Sequence, residues 1–80
     1  MITVYSKNNC PFCDRAKALL ESKGVEYKVV NIEETTDARE FLVDQGLRSV
    51  PQIFNDGVLL AGGYQGLAGR PEEFWTTLKK

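Results

Sequence analysis

The sequence predicts an α/β chain: one small mixed sheet with helices on its faces. Three observations predict it. Short β-branched and aromatic runs alternate with stretches of helical spacing in the order β-α-β-α-β-β-α. Glycines and prolines stand at the joins between those runs. Near the end, Asn55-Asp56-Gly57 separates two apolar runs, a strong hairpin signal.

Each element has its own justification. Ile2 to Tyr5 is β-branched and aromatic and reads as a strand, and Ser6-Lys7-Asn8-Asn9 reads as a polar loop. From Pro11 to Lys23, residues Cys13, Ala16, Leu19, Leu20 and Lys23 share one helical face, while Asp14, Arg15, Lys17, Glu21 and Ser22 take the other. Pro11 suits a first helical position, where its missing N–H costs nothing, and Gly24 suits a C-terminal stop. Glu26 to Ile32 is a second strand. A helix from about Thr36 to Gln45 places Ala38, Phe41, Leu42 and Gln45 on one face, with Asp37 and Glu40 as its start signal and Gly46 as its stop. Gln52-Ile53-Phe54 and Val58-Leu59-Leu60-Ala61 form the hairpin, and Gly62-Gly63 marks a tight connection. Pro71, followed by Glu72 and Glu73, opens a last helix carrying Phe74, Trp75 and Leu78, with Lys79 and Lys80 suited to its C-terminal end. The first β-α-β is expected to be a right-handed crossover between parallel strands, with the hairpin extending the same sheet. Element order alone does not set the strand order.

Bulk properties narrow the function. Eighty residues suffice for one small domain, expected to span 1–80. The formal net charge of −1 argues against a nucleic-acid or anionic-membrane partner, which calls for a basic face. The absence of histidine removes Cys/His and Ser/His nucleophile pairs, and with them most hydrolase readings. Met1 leads straight into a strand, so no secretory signal is expected, and no apolar run approaches the length of a membrane span. The expected location is cytoplasmic, where a C-x-x-C pair is more often catalytic or metal-binding than structural.

The two cysteines carry the chemistry. Cys10-Pro11-Phe12-Cys13 closes almost no loop, so a bridge there stabilises little. Its value is chemical: one thiolate attacks a disulfide and a second, within reach, resolves the mixed disulfide. Cys10 falls at the helix start, where unpaired N–H groups and the macrodipole favour thiolate, and Lys7 adds positive charge nearby. Thiols so placed titrate at roughly 3.5–7.5 instead of about 8.5. Cys13 shares the inward face with Ala16 and Leu20. Cys10 is therefore read as the exposed nucleophile and Cys13 as the resolving thiol. Zinc would need two further ligands that no other cysteine or histidine of the chain supplies. A dimer holding zinc or an iron–sulfur cluster through Cys10 of each chain stays open as a competing class. Inert, merely apolar cysteines fit poorly with this spacing behind a polar loop. Phe12 reads equally as a wall for a substrate disulfide or as an ordinary half-buried aromatic.

These segments resemble the glutaredoxins, within the thioredoxin-like fold. Tyr5-Ser6-Lys7, Cys10-Pro11-Phe12-Cys13 and Arg15-Ala16-Lys17-Ala18-Leu19-Leu20 are similar to the family's active-site segment. Ser49-Val50-Pro51-Gln52-Ile53-Phe54 resembles its Thr-Val-Pro-Gln-Ile-Phe segment, and Leu60-Ala61-Gly62-Gly63-Tyr64 its Gly-Gly turn. The resemblance covers nearly the whole chain. It implies a four-stranded mixed sheet ordered 2-1-3-4 flanked by three helices, and a cis Val50-Pro51 bond. It implies that Val50 offers its backbone N–H and C=O to a substrate cysteine as a short added strand. It further implies glutathione as cosubstrate, no bound cofactor, and a glutathione groove of Lys7, Phe12, Val50, Pro51, Gly63, Tyr64 and Gln65. Read from the residues alone, Lys7 is a solvated loop cation and Gly62-Gly63 a plain turn.

One departure stands out. Many glutaredoxins place an aspartate three positions after the second glycine, where it meets the ammonium of glutathione's γ-glutamyl end; here that position is Gly66. Losing a charge-assisted hydrogen bond costs roughly 1.5–3 kcal/mol, a tenfold or greater weakening. Restoring the carboxylate by Gly66→Asp is then expected to tighten glutathione. The departure raises an alternative within the same chemistry: a redoxin reduced by thioredoxin reductase that donates electrons to ribonucleotide reductase. The expectation is a monomeric glutathione-dependent thiol–disulfide oxidoreductase acting on glutathione mixed disulfides and client proteins, ribonucleotide reductase among the candidates.

Overall fold

The computed structural model describes residues 1–78. Its elements are β1 (Ile2–Ser6), α1 (Pro11–Ser22), β2 (Tyr27–Asn31), α2 (Thr36–Asp44), β3 (Gln52–Asn55), β4 (Val58–Leu60), α3 (Gly63–Ala68) and α4 (Glu72–Leu78). Lys79 and Lys80, expected at the end of the last helix, lie outside the described residues. The strands form one sheet in the order β2-β1-β3-β4. The β1–β2 pair is parallel, and β3 pairs antiparallel with both β1 and β4. This is the thioredoxin-like order that the resemblance implied.

Local chemistry explains the joins. α1 ends in a Schellman closure: the Gly24 N–H donates to Glu21 O at 3.1 Å, the Val25 N–H to Leu20 O at 3.1 Å, and Gly24 takes φ +69°. α2 ends the same way, with Gly46 and Leu47 donating to Val43 O and Leu42 O. The hairpin turn places Asp56 at φ +50° and Gly57 at φ +85°, the left-handed pair that a two-residue loop between twisted strands requires.

Alternation along β1 builds two faces. Ile2 and Val4 point into the main core with Ile53 and Leu60, against Ala16 and Leu20 of α1, Leu67 of α3 and Trp75 of α4. Tyr5 points the other way and stacks on Phe41 of α2 at 5.7 Å, with Phe54 completing an aromatic trio. Of the four residues expected on one face of α2, Ala38 and Leu42 are buried, whereas Phe41 and Gln45 are exposed.

The sheet is flanked by four helices, one more than expected. α3 begins at the Gly62-Gly63 pair that reads as a tight connection and runs through a stretch for which no helix was expected. Its glycines lower helix propensity by about 1 kcal/mol each, and six residues are too few to hold a helix alone. The helix exists because Leu67 is driven into the core at 1% exposure, a burial worth about 1.5–3 kcal/mol. That contact is tertiary and leaves no periodic signal in so short a segment.

Candidate functional site

Cys10 is the N-cap of α1, with extended backbone angles (φ −119°, ψ 97°) that release its side chain toward the first helical turn. The Cys13 N–H donates to Cys10 Sγ at 3.3 Å. Pro11 at the first helical position sacrifices no intrahelical bond. The two cysteines are joined as a disulfide with their Cα atoms 5.2 Å apart, a separation that a bridge spans without moving the backbone. Cys13 is 1% exposed and Cys10 8%, so Cys10 is the outer sulfur. It is nonetheless far more covered than the open nucleophile expected. The Val50 carbonyl oxygen lies 4.0 Å from its sulfur.

The loop before β3 completes the cover. The Val50-Pro51 bond is cis, and Pro51 is buried. The Gln52 side-chain N–H groups reach back to Ser49 O at 2.8 Å and Ser49 Oγ at 3.3 Å, which ties down the segment carrying Val50. Neither Val50 N–H nor Val50 C=O enters a backbone–backbone hydrogen bond among the described residues.

Beside this loop runs a cleft of about 430 Å³ that includes Phe12, Val50, Pro51, Gly63, Tyr64 and Gln65. These are the residues expected to form a glutathione groove, with the exception of Lys7. Lys7 lines a different cavity, which shares Leu47, Ser49 and Val50 with the first. Phe12 is 47% exposed, tilts against Tyr64 at 6.2 Å and carries the Arg15 guanidinium 5.1 Å from its ring centroid. Sequence reasoning missed Leu47 and Leu59 as liners; their presence depends on how α2 and β4 meet the loop, and nothing local marks them.

Gly66 corrects an expectation. A Cβ built there would overlap the Ala61 carbonyl oxygen and lie 3.0 Å from the Ala61 carbonyl carbon. The space a side chain would need is already filled by backbone. The overlap removes the expectation that Gly66→Asp simply restores an ammonium partner. Gln65, exposed on the cleft, is the side chain that α3 offers there.

Elsewhere, the Tyr27 hydroxyl donates to the Glu21 carboxylate at 2.7 Å; that bond, then burial and the Glu21 charge, push its phenol up to about 12. Among the described residues no three or more His, Cys, Asp or Glu side chains gather as a metal cage, and no helix is long and apolar enough to cross a membrane.

A thioredoxin-like sheet carrying a paired N-cap cysteine and a cis-proline loop over it defines a thiol–disulfide oxidoreductase. Comparison with known proteins narrows this class. The glutaredoxin family model matches residues 2–60. Glutaredoxin 3 of Escherichia coli K12 is 42% identical over 62 residues, covering 76% of this chain and 75% of its own. The glutaredoxin-like protein NrdH of Salmonella typhimurium is 37% identical over 71 residues, covering 89% and 80%. A buckwheat glutaredoxin–glutathione complex superposes with TM-score 0.78 at 25% identity, over 98% of this chain and 76% of that one. The chain belongs to the glutaredoxin family, and its redox centre is the Cys10–Cys13 dithiol.

Proposed function

We propose that this redoxin uses glutathione, and that the cleft of Phe12, Val50, Pro51, Gly63, Tyr64 and Gln65 receives it. The observation that supports this most is the cleft's position: it shares Val50 with the cover over Cys10. In the reaction, the Cys10 thiolate attacks the glutathione sulfur of a mixed disulfide and expels the client thiolate. A second glutathione thiolate then attacks the glutathione sulfur bound to Cys10, releasing oxidised glutathione and restoring the Cys10 thiolate. With a protein disulfide, Cys10 forms the mixed disulfide and Cys13 displaces the client, leaving the Cys10–Cys13 bridge. Two glutathiones reduce that bridge, each giving one electron and one proton. The Cys13 N–H that meets Cys10 Sγ supports the thiolate in both routes. The protein acts as a cytoplasmic monomer of one domain, with no resident cofactor and with ribonucleotide reductase among its clients.

A second reading rests on Gly66. Backbone packing leaves no room there for a carboxylate, which favours weak glutathione recognition and a redoxin recycled by thioredoxin reductase. A two-reductant assay decides between them. One arm supplies glutathione and its reductase, the other thioredoxin reductase, each with NADPH and a protein disulfide. Faster turnover in the glutathione arm is expected; activity confined to the other arm refutes the proposal. The competing metal-binding class predicts a dimer, brown where it holds an iron–sulfur cluster after anaerobic purification, and a colourless monomer is expected instead.

A further inference from the structure

Three aromatic rings carry a cation among the described residues, and they differ in what else holds them. Lys23 Nζ lies 5.6 Å from the centre of the Trp75 ring, and the Arg70 guanidinium 5.0 Å from that of Phe74. Trp75 belongs to the core and Phe74 packs against it, so those rings are fixed with or without their cations. Phe12 is 47% exposed and takes no part in the core cluster. Its ring meets Tyr64 at 6.2 Å and the Arg15 guanidinium at 5.1 Å. Tyr64 is itself packed on the core, so it is a fixed surface against which Phe12 leans.

Arg15 is free to hold that ring. Phe12 and Arg15 stand three residues apart on α1, a spacing that brings their side chains together. The neighbouring Asp14 pairs with Lys17 at 3.3 Å, and Arg15 enters none of the ion pairs among the described residues. Arg15 is exposed and lies outside the lining of the cleft.

We infer that Arg15 is a positioning residue: by holding the Phe12 ring against Tyr64, it presets one wall of the substrate cleft. An exposed ring that turns freely must be immobilised when substrate arrives, and that ordering weakens binding. A ring already held loses less. The gain is the same in the bound ground state and in the transition state for sulfur exchange, so it acts on KM and not on kcat. A cation–ring contact at an exposed site corresponds to about a two- to fivefold change in affinity. The inference rests on the reading that this cleft receives substrate.

Steady-state reduction of a glutathionylated synthetic peptide tests it, with the reductant system that sustains turnover in excess. Arg15→Gln is expected to raise KM for the peptide about two- to fivefold with kcat unchanged. Arg15→Lys is expected to recover most of that loss, because an ammonium also binds a ring face. Phe12→Leu keeps apolar bulk but offers no ring. It is expected to raise KM, and adding Arg15→Gln to it is expected to change nothing further. Additive effects of the two substitutions overturn the inference, since Arg15 then acts without Phe12. A fall in kcat for Arg15→Gln overturns it too. If Phe12→Leu raises KM and Arg15→Gln does not, the inference fails and the cleft reading stands; if neither moves KM, both fail. Nuclear magnetic resonance of the unmodified protein gives a check that no misfolded variant can spoil. The Arg15 side-chain protons are expected to shift upfield in the Phe12 ring current and to show cross-relaxation with its ring protons. Random-coil shifts there overturn the inference.

Discussion

Substituting Gly66 with alanine tests the packing that separates this chain from the family pattern. In an open helix the change stabilises by about 1 kcal/mol, because glycine is the poorer helix former. Gly66 lies within α3, but its added methyl would overlap the Ala61 carbonyl. That oxygen is backbone and cannot rotate aside, so the whole β4–α3 connection must shift. Overpacking of this kind costs about 1–3 kcal/mol. Set against the propensity gain, the net loss is up to about 2 kcal/mol, and each kcal/mol lowers Tm by about 4–8 °C in a domain this small. Gly69→Ala is the control: its Cβ would meet Gln65 O at an ordinary 3.5 Å, and it is expected to stay within about 0.5 kcal/mol of the unmodified protein. Thermal melts followed by circular dichroism read both. If Gly66→Ala melts at or above the unmodified protein while Gly69→Ala is neutral, the close packing of α3 on Ala61 is wrong. Gly66→Asp inherits the same overlap, and its expected result is lost stability with no tighter glutathione binding.

Other outcomes follow from the same geometry. Cys13→Ser is expected to spare reduction of glutathione mixed disulfides and to cut protein-disulfide reduction at least tenfold; equal loss of both, measured side by side, counts against the assigned roles. Iodoacetamide is expected to modify Cys10 of the reduced protein at pH 7 faster than a free cysteine, since an N–H and a helix start face its sulfur. A pH series that matches the free amino acid contradicts this. The Tyr27 phenol, raised to about 12 by its bond to Glu21, contributes stability that is present below the unfolded value near 10 and is lost as pH rises from about 10 to 12. Tyr27→Phe removes that pH-dependent contribution, and denaturant midpoints across the window should show the difference vanish at the alkaline end.

Much of this protein was legible because its signals are local. The C-x-x-C pair, Pro11 at the helix start, Gly24 and Gly46 at the helix ends and Asp56-Gly57 in the hairpin each act through hydrogen bonds or backbone angles within about five residues. The signal failed where local and tertiary preference disagree. Gly62-Gly63 reads as a tight connection with no helix marked before Pro71, yet the core's demand for Leu67 winds Gly63–Ala68 into α3. Phe41 matches a buried helical face, yet it remains partly open because it covers Tyr5 and Phe54 from the outside.

By itself, the order of residues determined the redox chemistry and the alternation of elements, since a dithiol, a cap and a turn are each complete within one short stretch. Only the folded arrangement brought Val50 against Cys10 across 40 positions of chain, filled the space beside Gly66 with the Ala61 carbonyl, and placed Lys7 in one groove with Arg39 and Arg48. Those are contacts between distant segments, and their distances are set by how the sheet and helices pack against one another.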